Sequence, residues 1–247
     1  MKLDDVKKLH QKKYRAEYGH YLVEGEHLVI ELHKALRNTA EGQFITLYVT
    51  ETRENWARSL EADFKLVVVN DKQMARLSDT KTPQGVVACV PLPSADANEA
   101  LTMKERCIFL HEVQDPGNLG TIIRNLAWFG GFRLLLSPNS VDPFNSKVVR
   151  ASMGAIFHLP IELDVAIQTL PQRFSKFAYL DLAGTNINAN EFAEYDCYLF
   201  GNEARGVPME SLTGSNADAF TIPGSGAIDS LNLANSVAIC AYQLSNG

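Results

Sequence analysis

The sequence lacks the segments and residue clusters that mark several large classes of protein. No apolar run in the 247 residues approaches the ~18 residues that a membrane-spanning helix needs. The charged start, MKLDDVKKLHQKKYR, is followed by no apolar segment, so we expect no signal peptide and a soluble, cytoplasmic protein. Cysteine is scarce, and the four thiols form no C-x-x-C pair, which argues against a zinc site or a disulfide framework. We predict that they are buried core residues: Cys89, Cys107, Cys197 and Cys240.

An overall excess of positive charge is also absent, since 23 basic and 29 acidic side chains give a formal charge of −6. The first 20 residues differ, because they carry six basic and three acidic side chains, whereas the other 227 carry 17 and 26. This basic segment includes Tyr14 and Tyr18, and it has the groups needed to contact phosphate and to stack on bases. A solvated amphipathic helix explains the segment without a ligand, and for the segment alone we favour that interpretation.

Short β-branched runs alternate with helical segments over the first third of the chain, which predicts a small α/β domain. The predicted strands are 44–50, 65–70 and 85–90, and the predicted helices are 24–37, 55–62 and 71–77. Prolines and small polar residues then interrupt the periodicity. We therefore predict an N-terminal domain over 1–93, a linker over 94–104 and a second domain over 105–247.

The second domain has the alternation of strands and helices that is typical of a mostly parallel sheet with helices on both faces. Its predicted strands are 107–113, 132–138, 157–163, 177–184, 197–203 and 220–224. A last helix follows, for which Asp229 and Ser230 are the predicted caps. Ligands bind at the carboxyl ends of the strands in such sheets, so the residues that follow each strand are the candidates for function.

Three predicted strands are followed by unusual polar segments. They are QDPGNLGTIIRN with Asn118 and Arg124, GNEARG with Asn202 and Glu203, and GSGAIDSLNLAN with Ser230 and Asn232. Each segment taken singly has an explanation without a ligand. The arginine can form a surface salt bridge, the side chains of GNE can satisfy the backbone amides of their own turn, and residues of the third segment can cap a helix. Their occurrence at three strand ends of one sheet favours a functional site that offers amides, a carboxylate, a hydroxyl and an arginine without metal ligands.

Two common nucleotide-binding patterns are missing from these segments. The first contains Gly117 and Gly120 but not G-x-G-x-x-G, and the next strand ends in Ser137-Pro138, where an acidic ribose ligand is expected. No G-x-x-x-x-G-K-[ST] occurs either. A dinucleotide-dependent oxidoreductase and a P-loop nucleotidase are therefore disfavoured.

Together the three segments resemble the motifs of the SpoU/TrmH family of RNA ribose 2′-O-methyltransferases, part of the SPOUT superfamily. The matching stretches are Asn118-x-Gly120-x-x-x-Arg124-Asn125, Leu199-Phe200-Gly201-Asn202-Glu203-x-x-Gly206, and Ile222-Pro223 with Ser230-Leu231-Asn232. Residues 152–155 and 157–160 are similar to the family's segment between the first two motifs, so the resemblance covers about residues 106–247. The N-terminal region, with YLVEG at 21–25, is similar to the small substrate-binding domain of many members, which itself resembles kink-turn-binding ribosomal proteins.

This resemblance implies a C-terminal domain with a deep trefoil knot that binds S-adenosylmethionine in a bent form through backbone groups. The positions implied for cofactor binding are Ala183, Gly184, Gly201, Ile222 and Leu231. The resemblance also implies a homodimer formed through the knotted domain, in which a site of one subunit uses an arginine of the other in some members. The implied partner is structured RNA, with rRNA favoured over tRNA because the N-terminal domain is similar to those of rRNA-modifying members.

The implied reaction transfers a sulfonium methyl group to a ribose 2′-hydroxyl, which requires alignment, exclusion of water and removal of a proton but no metal. By resemblance Arg124 is the central catalytic residue. Because a guanidinium is protonated at biological pH, we expect it first to hold the phosphate of the target nucleotide, and proton acceptance stays open. The resemblance further implies that Asn118 positions this arginine or the ribose, and that Glu203 orients the arginine. Ser230 and Asn232 would fix the substrate and the motif loops.

Two positions depart from the family's third motif. Gly224 stands where a larger residue, often Met, follows Ile-Pro, and Leu233-Ala234 follow Asn232, where a serine is common. The alternative hypothesis is therefore a catalytically inactive RNA-binding module that keeps the fold. In either case, the basic residues that we expect to contact RNA are those within 2–15, Arg124, Lys147, Arg150 and Arg205.

Overall fold

The computed structural model describes residues 1–37, 39–93 and 105–246. Contacts divide the chain into two units, and the N-terminal unit includes the segment Asp142–His158 in addition to the residues that precede the linker. The predicted linker over 94–104 lies outside the described residues, and the domain boundaries stay a prediction. Within the described residues, no helix is both long enough and apolar enough to cross a bilayer.

The N-terminal unit is built on a mixed sheet of four strands in the described part of the chain. The strands are β1 His20–Glu24, β2 Thr46–Thr50, β3 Lys65–Val69 and β4 Val86–Pro91, and the helices along the same stretch are α1 Leu3–Lys8, α2 Lys12–Tyr18, α3 Glu26–Leu36, α4 Glu54–Ser59 and α5 Asp71–Leu77. The sheet order is β1-β4-β2-β3, with β4 antiparallel to β1 and β2 and with β2 parallel to β3. The predicted small α/β domain is confirmed, and the structure adds the five-residue strand β1 directly before Gly25, which the sequence analysis does not predict.

The second unit contains a sheet of six strands, as far as the structure describes the chain, and all of its pairings are parallel. The strands are β5 Arg106–Leu110, β6 Phe132–Leu136, β7 Ile161–Glu162, β8 Phe177–Asn186, β9 Cys197–Phe200 and β10 Ala217–Thr221. The helices from here to the end are α6 Pro116–Phe129, α7 Ser146–Ala151, which belongs to the N-terminal unit, α8 Leu170–Arg173 and α9 Leu233–Ser245. The predicted parallel sheet with a small N-terminal domain is confirmed.

Burial explains why the central strands are mostly apolar. Every residue of β6 and β9 is buried, as expected for parallel strands that are covered on both faces. The four cysteines are also buried, which confirms their prediction as core residues. Burial raises the pKa of the Cys89 and Cys240 thiols to about 12 and that of Cys107 to about 11, so these thiols are poor nucleophiles at neutral pH.

Several predicted element boundaries are wrong. β7 has only two residues, since 155–157 form a 3-10 turn, and β10 begins at Ala217 rather than at Phe220. The last helix begins at Leu233, with Asn232 as its N-cap. The Oδ1 atom of Asn232 accepts hydrogen bonds from the backbone amides two and three residues later, at 2.9 and 3.3 Å. Asp229 and Ser230 are therefore not the caps, because they lie before the residue whose side chain satisfies the first amides.

The direction in which strands are added to the sheet reverses at β5, next to β9. The order is β10-β8-β9-β5-β6-β7, so β5 has β6 on one side and β9 on the other. From β5 the chain first adds β6 and β7 on one side; on the other side β8 comes before β9 in the chain, and β9 lies between β8 and β5. Crevices at such a reversal, outside the carboxyl ends of the strands, are common ligand sites in open parallel sheets. The loops 112–115 and 201–206 follow β5 and β9 at this place.

A buried ion pair fixes the segment Asp142–His158 within the N-terminal unit. Arg15 donates from Nε and Nη2 to Asp142 Oδ2, at 2.9 and 2.6 Å, and from Nη1 to the Leu9 carbonyl at 2.7 Å. The side chains of Arg15 and Asp142 are 4% and 11% exposed. Arg15 is therefore a structural residue, and its prediction as an RNA contact is wrong because its guanidinium is buried and fully engaged.

We expect Asp142→Asn to lower the free energy of unfolding of the N-terminal unit by about 3 kcal/mol, because the guanidinium of Arg15 then lacks its counter-charge in a buried place. Urea unfolding followed by circular dichroism measures the change. The matched control is Glu54→Gln, which breaks the exposed pair between Arg58 and Glu54 and should cost less than about 1 kcal/mol. Equal losses in the two variants would show that the buried pair has no special structural role.

Candidate functional site

A cleft of about 500 Å³ opens at the carboxyl ends of β5 and β9. All three polar segments of the sequence contribute to its lining, which consists of Gln114, Asp115, Asn118, Asn202, Glu203, Ala204 and Asn232. Three of the predicted catalytic residues, Asn118, Glu203 and Asn232, therefore lie together. The other two, Arg124 and Ser230, are exposed and do not line this cleft.

The carboxamide of Asn118 connects the three segments. Its Nδ2 donates to Glu203 Oε1 at 3.3 Å, and its Oδ1 accepts from Asn232 Nδ2 at 2.9 Å. Its backbone amide donates to Oδ1 of Asp115, the N-cap of α6, at 2.6 Å. The two neighbours of the side chain differ in hydrogen-bonding type, because a carboxylate only accepts and the amide of Asn232 donates. Asn118 therefore has one orientation that satisfies both.

The carboxylate of Glu203 bridges the loop after β9 to the start of α6. Its Oε2 and Oε1 accept from the backbone amides of Gln114 and Asp115, each at 3.4 Å, in addition to the bond from Asn118. A negative charge is stabilised at the N-terminal end of a helix. Within the described residues, Glu203 has no hydrogen bond or ion pair with Arg124, so the structure does not show the orienting contact that we expected.

Asn202 shapes the turn that presents this carboxylate. Asn202 is 6% exposed, and its Oδ1 accepts hydrogen bonds from the backbone amides of Ala204 and Arg205 at 3.0 and 3.1 Å. Its Nδ2 donates to the carbonyl of Glu112 at 2.7 Å, which joins the loops after β9 and β5. The interpretation of Asn202 as a residue that satisfies the turn's own amides is confirmed.

Gln114 is a site residue that the sequence did not reveal. Its Nε2 donates to the carbonyls of Glu112 and Asn139, at 3.0 and 2.8 Å. Both of these residues have positive φ, at 48° and 66°, which non-glycine residues adopt mainly where the surrounding structure holds them. The partner lies 25 residues away in the sequence, so no local pattern marks Gln114 as the residue that fixes this loop.

The basic residues that we expected to contact RNA differ in whether they already form an ion pair. Arg205 forms an ion pair with Glu112, and Arg150 forms ion pairs with carboxylates of the N-terminal unit. By contrast, Arg124 and Lys147 are exposed, and in the described part of the chain neither side chain has a hydrogen bond or an ion pair. These two cations are therefore free to bind an anionic ligand.

The residues predicted for cofactor binding lie within or after three neighbouring strands, β8, β9 and β10. Gly201 follows β9, Ile222 follows β10, and Leu231 lies in the segment before α9. Ala183 and Gly184 lie within β8 and not at its end, because the strand continues to Asn186. The pairing of β8 with β10 shifts here: Ala219 pairs with Tyr179 and the next residue, Phe220, with Thr185. The residues 180–184 of β8 therefore have no partner on β10 and form a bulge at this edge.

Glycine is required at position 201 by the chain itself. A Cβ on Gly201 would lie 2.1 Å from the carbonyl carbon of Gly206 and 2.3 Å from the backbone nitrogen of Val207. The two ends of this turn are joined by backbone hydrogen bonds between Asn202 and Gly206 in both directions, at 3.0 and 2.9 Å. The close return of the backbone, rather than space for a ligand, explains this glycine.

The segment after β10 has backbone groups that fit the implied mode of cofactor binding. For residues 223–231, the hydrogen bond that the structure shows runs from the amide of Ala227 to Ser225 Oγ, at 3.4 Å. The other backbone donors and acceptors of this stretch have no partner among the described residues. Apolar Ile228 and Leu231 are 72% and 45% exposed beside them. Free amides and carbonyls with apolar side chains are suited to the edge and face of an adenine.

Comparison with known proteins identifies the class. Residues 105–242 match the model of the SpoU rRNA Methylase family, and residues 2–88 match that of the MRM3-like substrate binding domain. The chain is 32% identical over 251 residues to the 23S rRNA (guanosine(2553)-2'-O)-methyltransferase RlmP of Bacillus subtilis, covering 98% of this chain and 95% of that protein. It is 31% identical over 166 residues to the mitochondrial rRNA methyltransferase 3 of Mus musculus, covering 64% of this chain and 38% of that one.

Two solved structures have the same fold over nearly the whole chain. An AdoMet-bound rRNA methyltransferase from Sinorhizobium meliloti has a TM-score of 0.81 and 28% identity, covering 99% of this chain and 94% of that one. The AdoMet complex of the SpoU methyltransferase AviRb from Streptomyces viridochromogenes has a TM-score of 0.82, 23% identity and coverage of 99% and 96%. Fold and motifs together define an S-adenosylmethionine-dependent RNA methyltransferase. The chain belongs to the SpoU rRNA methylase family, and the predicted family and cofactor are confirmed.

We expect Gly201→Ala to lower the melting temperature by about 5 °C, because the new methyl group overlaps the returning backbone. Differential scanning calorimetry measures this shift. Gly224→Ala is the matched control for stability, since no atom lies within 4 Å of its added Cβ. A Gly201→Ala variant as stable as Gly224→Ala would mean that the turn opens freely and does not constrain this position.

Proposed function

We propose that the protein methylates the 2′-hydroxyl of a ribose in ribosomal RNA. The structural observation that carries the proposal is the contact of Asn118 with Glu203 and Asn232, which assembles one residue of each motif at a single cleft. The name of the B. subtilis relative specifies a 2'-O-methyltransferase of 23S rRNA, and that relative is matched over almost its whole length. Both facts support the ribose as acceptor and rRNA as substrate.

The proposed reaction requires modest chemistry from the chain. The ribose 2′-oxygen forms a bond to the methyl carbon, the carbon–sulfur bond breaks with its electron pair going to sulfur, and the 2′-hydroxyl proton is released. S-adenosylmethionine, when bound, supplies the electrophilic methyl group. The protein must align the hydroxyl with the carbon–sulfur bond and hold the nucleotide, which accounts for a large part of the barrier in such transfers.

The roles of the polar residues follow from their contacts. Asn118 and Asn232 hold the loops of the cleft in one arrangement, and Glu203 is the acceptor group that this arrangement presents. Arg124, exposed and unpaired among the described residues, holds the phosphate of the target nucleotide. Ser230 is exposed and lies two residues before Asn232 in the sequence, and we assign it a contact with the substrate.

Cofactor binding is assigned to the backbone at three places: within β8, directly after β9 and in the segment that follows β10. The bulge of β8 with Ala183 and Gly184, the turn at Gly201, and the stretch from Ile222 to Leu231 supply it. Support comes from the free amides and carbonyls of 223–231 and from the order of the strands, which makes these three places neighbours.

A direct assay tests the function. The protein is incubated with methyl-labelled S-adenosylmethionine and with unmodified rRNA or tRNA, and the RNA is digested to nucleosides for mass spectrometry. We expect a 2′-O-methylated nucleoside from rRNA only. Labelled tRNA alone, or a base-methylated nucleoside, would overturn the proposal. Binding of S-adenosylhomocysteine and RNA without transfer would establish the inactive RNA-binding module instead.

We expect Arg124→Ala to lower the rate of methyl transfer at least about a hundredfold, because the phosphate of the target nucleotide loses its charged ligand. The affinity for S-adenosylhomocysteine, measured by calorimetry, should change less than about twofold, since we assign cofactor binding to other residues. Arg58→Ala removes an exposed arginine of the N-terminal unit and serves as the control. Comparable losses of transfer and of cofactor affinity in Arg124→Ala would refute this division of roles.

We also propose that the protein is a homodimer formed through α6 and α9. The two helices pack together and leave large apolar side chains exposed: Trp128 at 84%, Ile239 at 39% and Tyr242 at 59%. The ring centroids of Phe129 and Tyr242 lie 6.0 Å apart, so an aromatic contact joins the two helices beside exposed Tyr242. An exposed apolar patch of this kind is typical of a protein interface. A second copy is the expected occupant because the family is usually dimeric through this domain.

We expect light scattering to give the mass of two chains for the unaltered protein and of one chain for Tyr242→Asp, because the carboxylate would be buried without a partner at the interface. The control is Asn246→Asp near the end of α9, which should stay dimeric. Tyr179→Asp is unsuitable as a control because it would disturb the core. A monomeric unaltered protein at micromolar concentration would overturn the proposal.

A further inference from the structure

We propose that helices α1 and α2 carry a second RNA-contacting surface, which binds the phosphate backbone and one unpaired base of the substrate RNA. We call it the lysine–tyrosine surface and define it as Lys2, Lys7, Lys12, Lys13 and Tyr14. It lies on the N-terminal unit, whereas the cleft lies on the other unit. The inference rests on the proposed function for the identity of the RNA, but RNA binding itself can be measured without methyl transfer.

The first argument is the state of the charges on these helices. All four lysines are exposed, and within the described residues none of them has an ion pair. The two aspartates of α1 are already engaged, since Asp4 pairs with Arg76 and Asp5 with Lys8. Glu17 is then the remaining acidic side chain on α1 and α2. The surface therefore presents a concentration of unpaired positive charge on a chain whose formal charge is −6.

The second argument is the aromatic group among these lysines. The rings of Tyr14 and Tyr18 are stacked, with centroids 6.0 Å apart and planes at 12°. Tyr18 packs on the core and donates its hydroxyl to Asp5 at 3.4 Å, so it is anchored. Tyr14 is half-buried, and its hydroxyl has no hydrogen bond in the described part of the chain. Lys13 Nζ lies 4.8 Å from the centroid of the Tyr14 ring.

The interpretation as a solvated amphipathic helix explains only half of these observations. The apolar face is accounted for by Val6 and Leu9, which are fully buried. The interpretation does not account for four exposed lysines without an ion pair in the segment that also carries the half-buried Tyr14, because like charges repel one another unless an anion is bound. A charged groove with an aromatic ring is the usual arrangement for a single-stranded nucleic acid, in which the cations follow the phosphates and the ring stacks on a base.

The test compares two variants that change charge equally in the same unit. The double variant Lys12→Glu/Lys13→Glu reverses two lysines of the surface. The control Lys34→Glu/Arg58→Glu reverses two cations whose side chains are 61% and 66% exposed on α3 and α4. Filter binding gives the dissociation constant for rRNA over a range of salt concentrations, and the methyl-transfer assay gives kcat and KM. Calorimetry with S-adenosylhomocysteine and a melting curve report on the cofactor site and the fold.

We expect Lys12→Glu/Lys13→Glu to weaken RNA binding at least about tenfold and to reduce the slope of log K against log salt by about 1 to 2, since two phosphate contacts are lost. The KM for RNA should rise with kcat and cofactor affinity unchanged. Tyr14→Leu should weaken binding about tenfold without a change in salt slope, because stacking releases no counterions. The control should behave as the unaltered protein does.

Failure of the surface and failure of the proposed function give different results. If the charge-reversal variant and the control bind RNA with the same constant and the same salt slope, the surface is not an RNA site, whatever the enzyme methylates. If only the surface variant binds weakly while the unaltered protein transfers no methyl group to rRNA, the surface stands and the proposed substrate falls. A loss of kcat rather than a rise in KM would also overturn the proposal, since it would place these lysines in catalysis.

Discussion

The hydrogen bonds of the Asn118 carboxamide are the interaction on which the site depends. It donates to Glu203 and accepts from Asn232, and each of these residues follows a different strand. A carboxamide is the small side chain that offers a donor and an acceptor side by side. An aspartate would place a second carboxylate against Glu203, and an aliphatic residue would remove one hydrogen bond from each neighbour. One side chain thus makes a single surface from three segments that are far apart in the sequence.

The sheet brings these segments close together, and hydrogen bonds of the loops hold them in place. Because β5 and β9 are parallel neighbours, the chain ends both strands at the same edge, and the segments that follow are within reach of each other. Asn202 and Gln114 then fix the two loops through the carbonyl of Glu112, while the backbone at Gly201 returns too closely for any other residue. The polar groups of the cleft are therefore preorganised, which reduces the cost of aligning a substrate.

Periodicity and motif spacing predict the layers of this molecule but not its long-range contacts. The buried runs of β6 and β9 predict a parallel sheet, and the strand ends predict which segments meet, as Asn118, Glu203 and Asn232 do. The pairing of Arg15 with Asp142 spans 127 residues, so no local pattern reveals that this arginine is buried. The predicted start of α9 is wrong because Ser, Asp and Asn are all good caps, and only the geometry of the side chain decides among them.

The difference between paired and unpaired cations explains how an acidic protein recognises RNA. A formal charge of −6 counts every basic group, although an RNA phosphate meets only those that have no carboxylate of their own. Arg205 is paired within its unit, and the guanidinium of Arg15 is buried. Arg124, Lys147 and the four lysines at positions 2, 7, 12 and 13 are among the exposed cations that have no ion pair in the described residues. Affinity for a polyanion depends on the number of cations that release counterions, so the unpaired cations are a better guide to RNA binding than net charge.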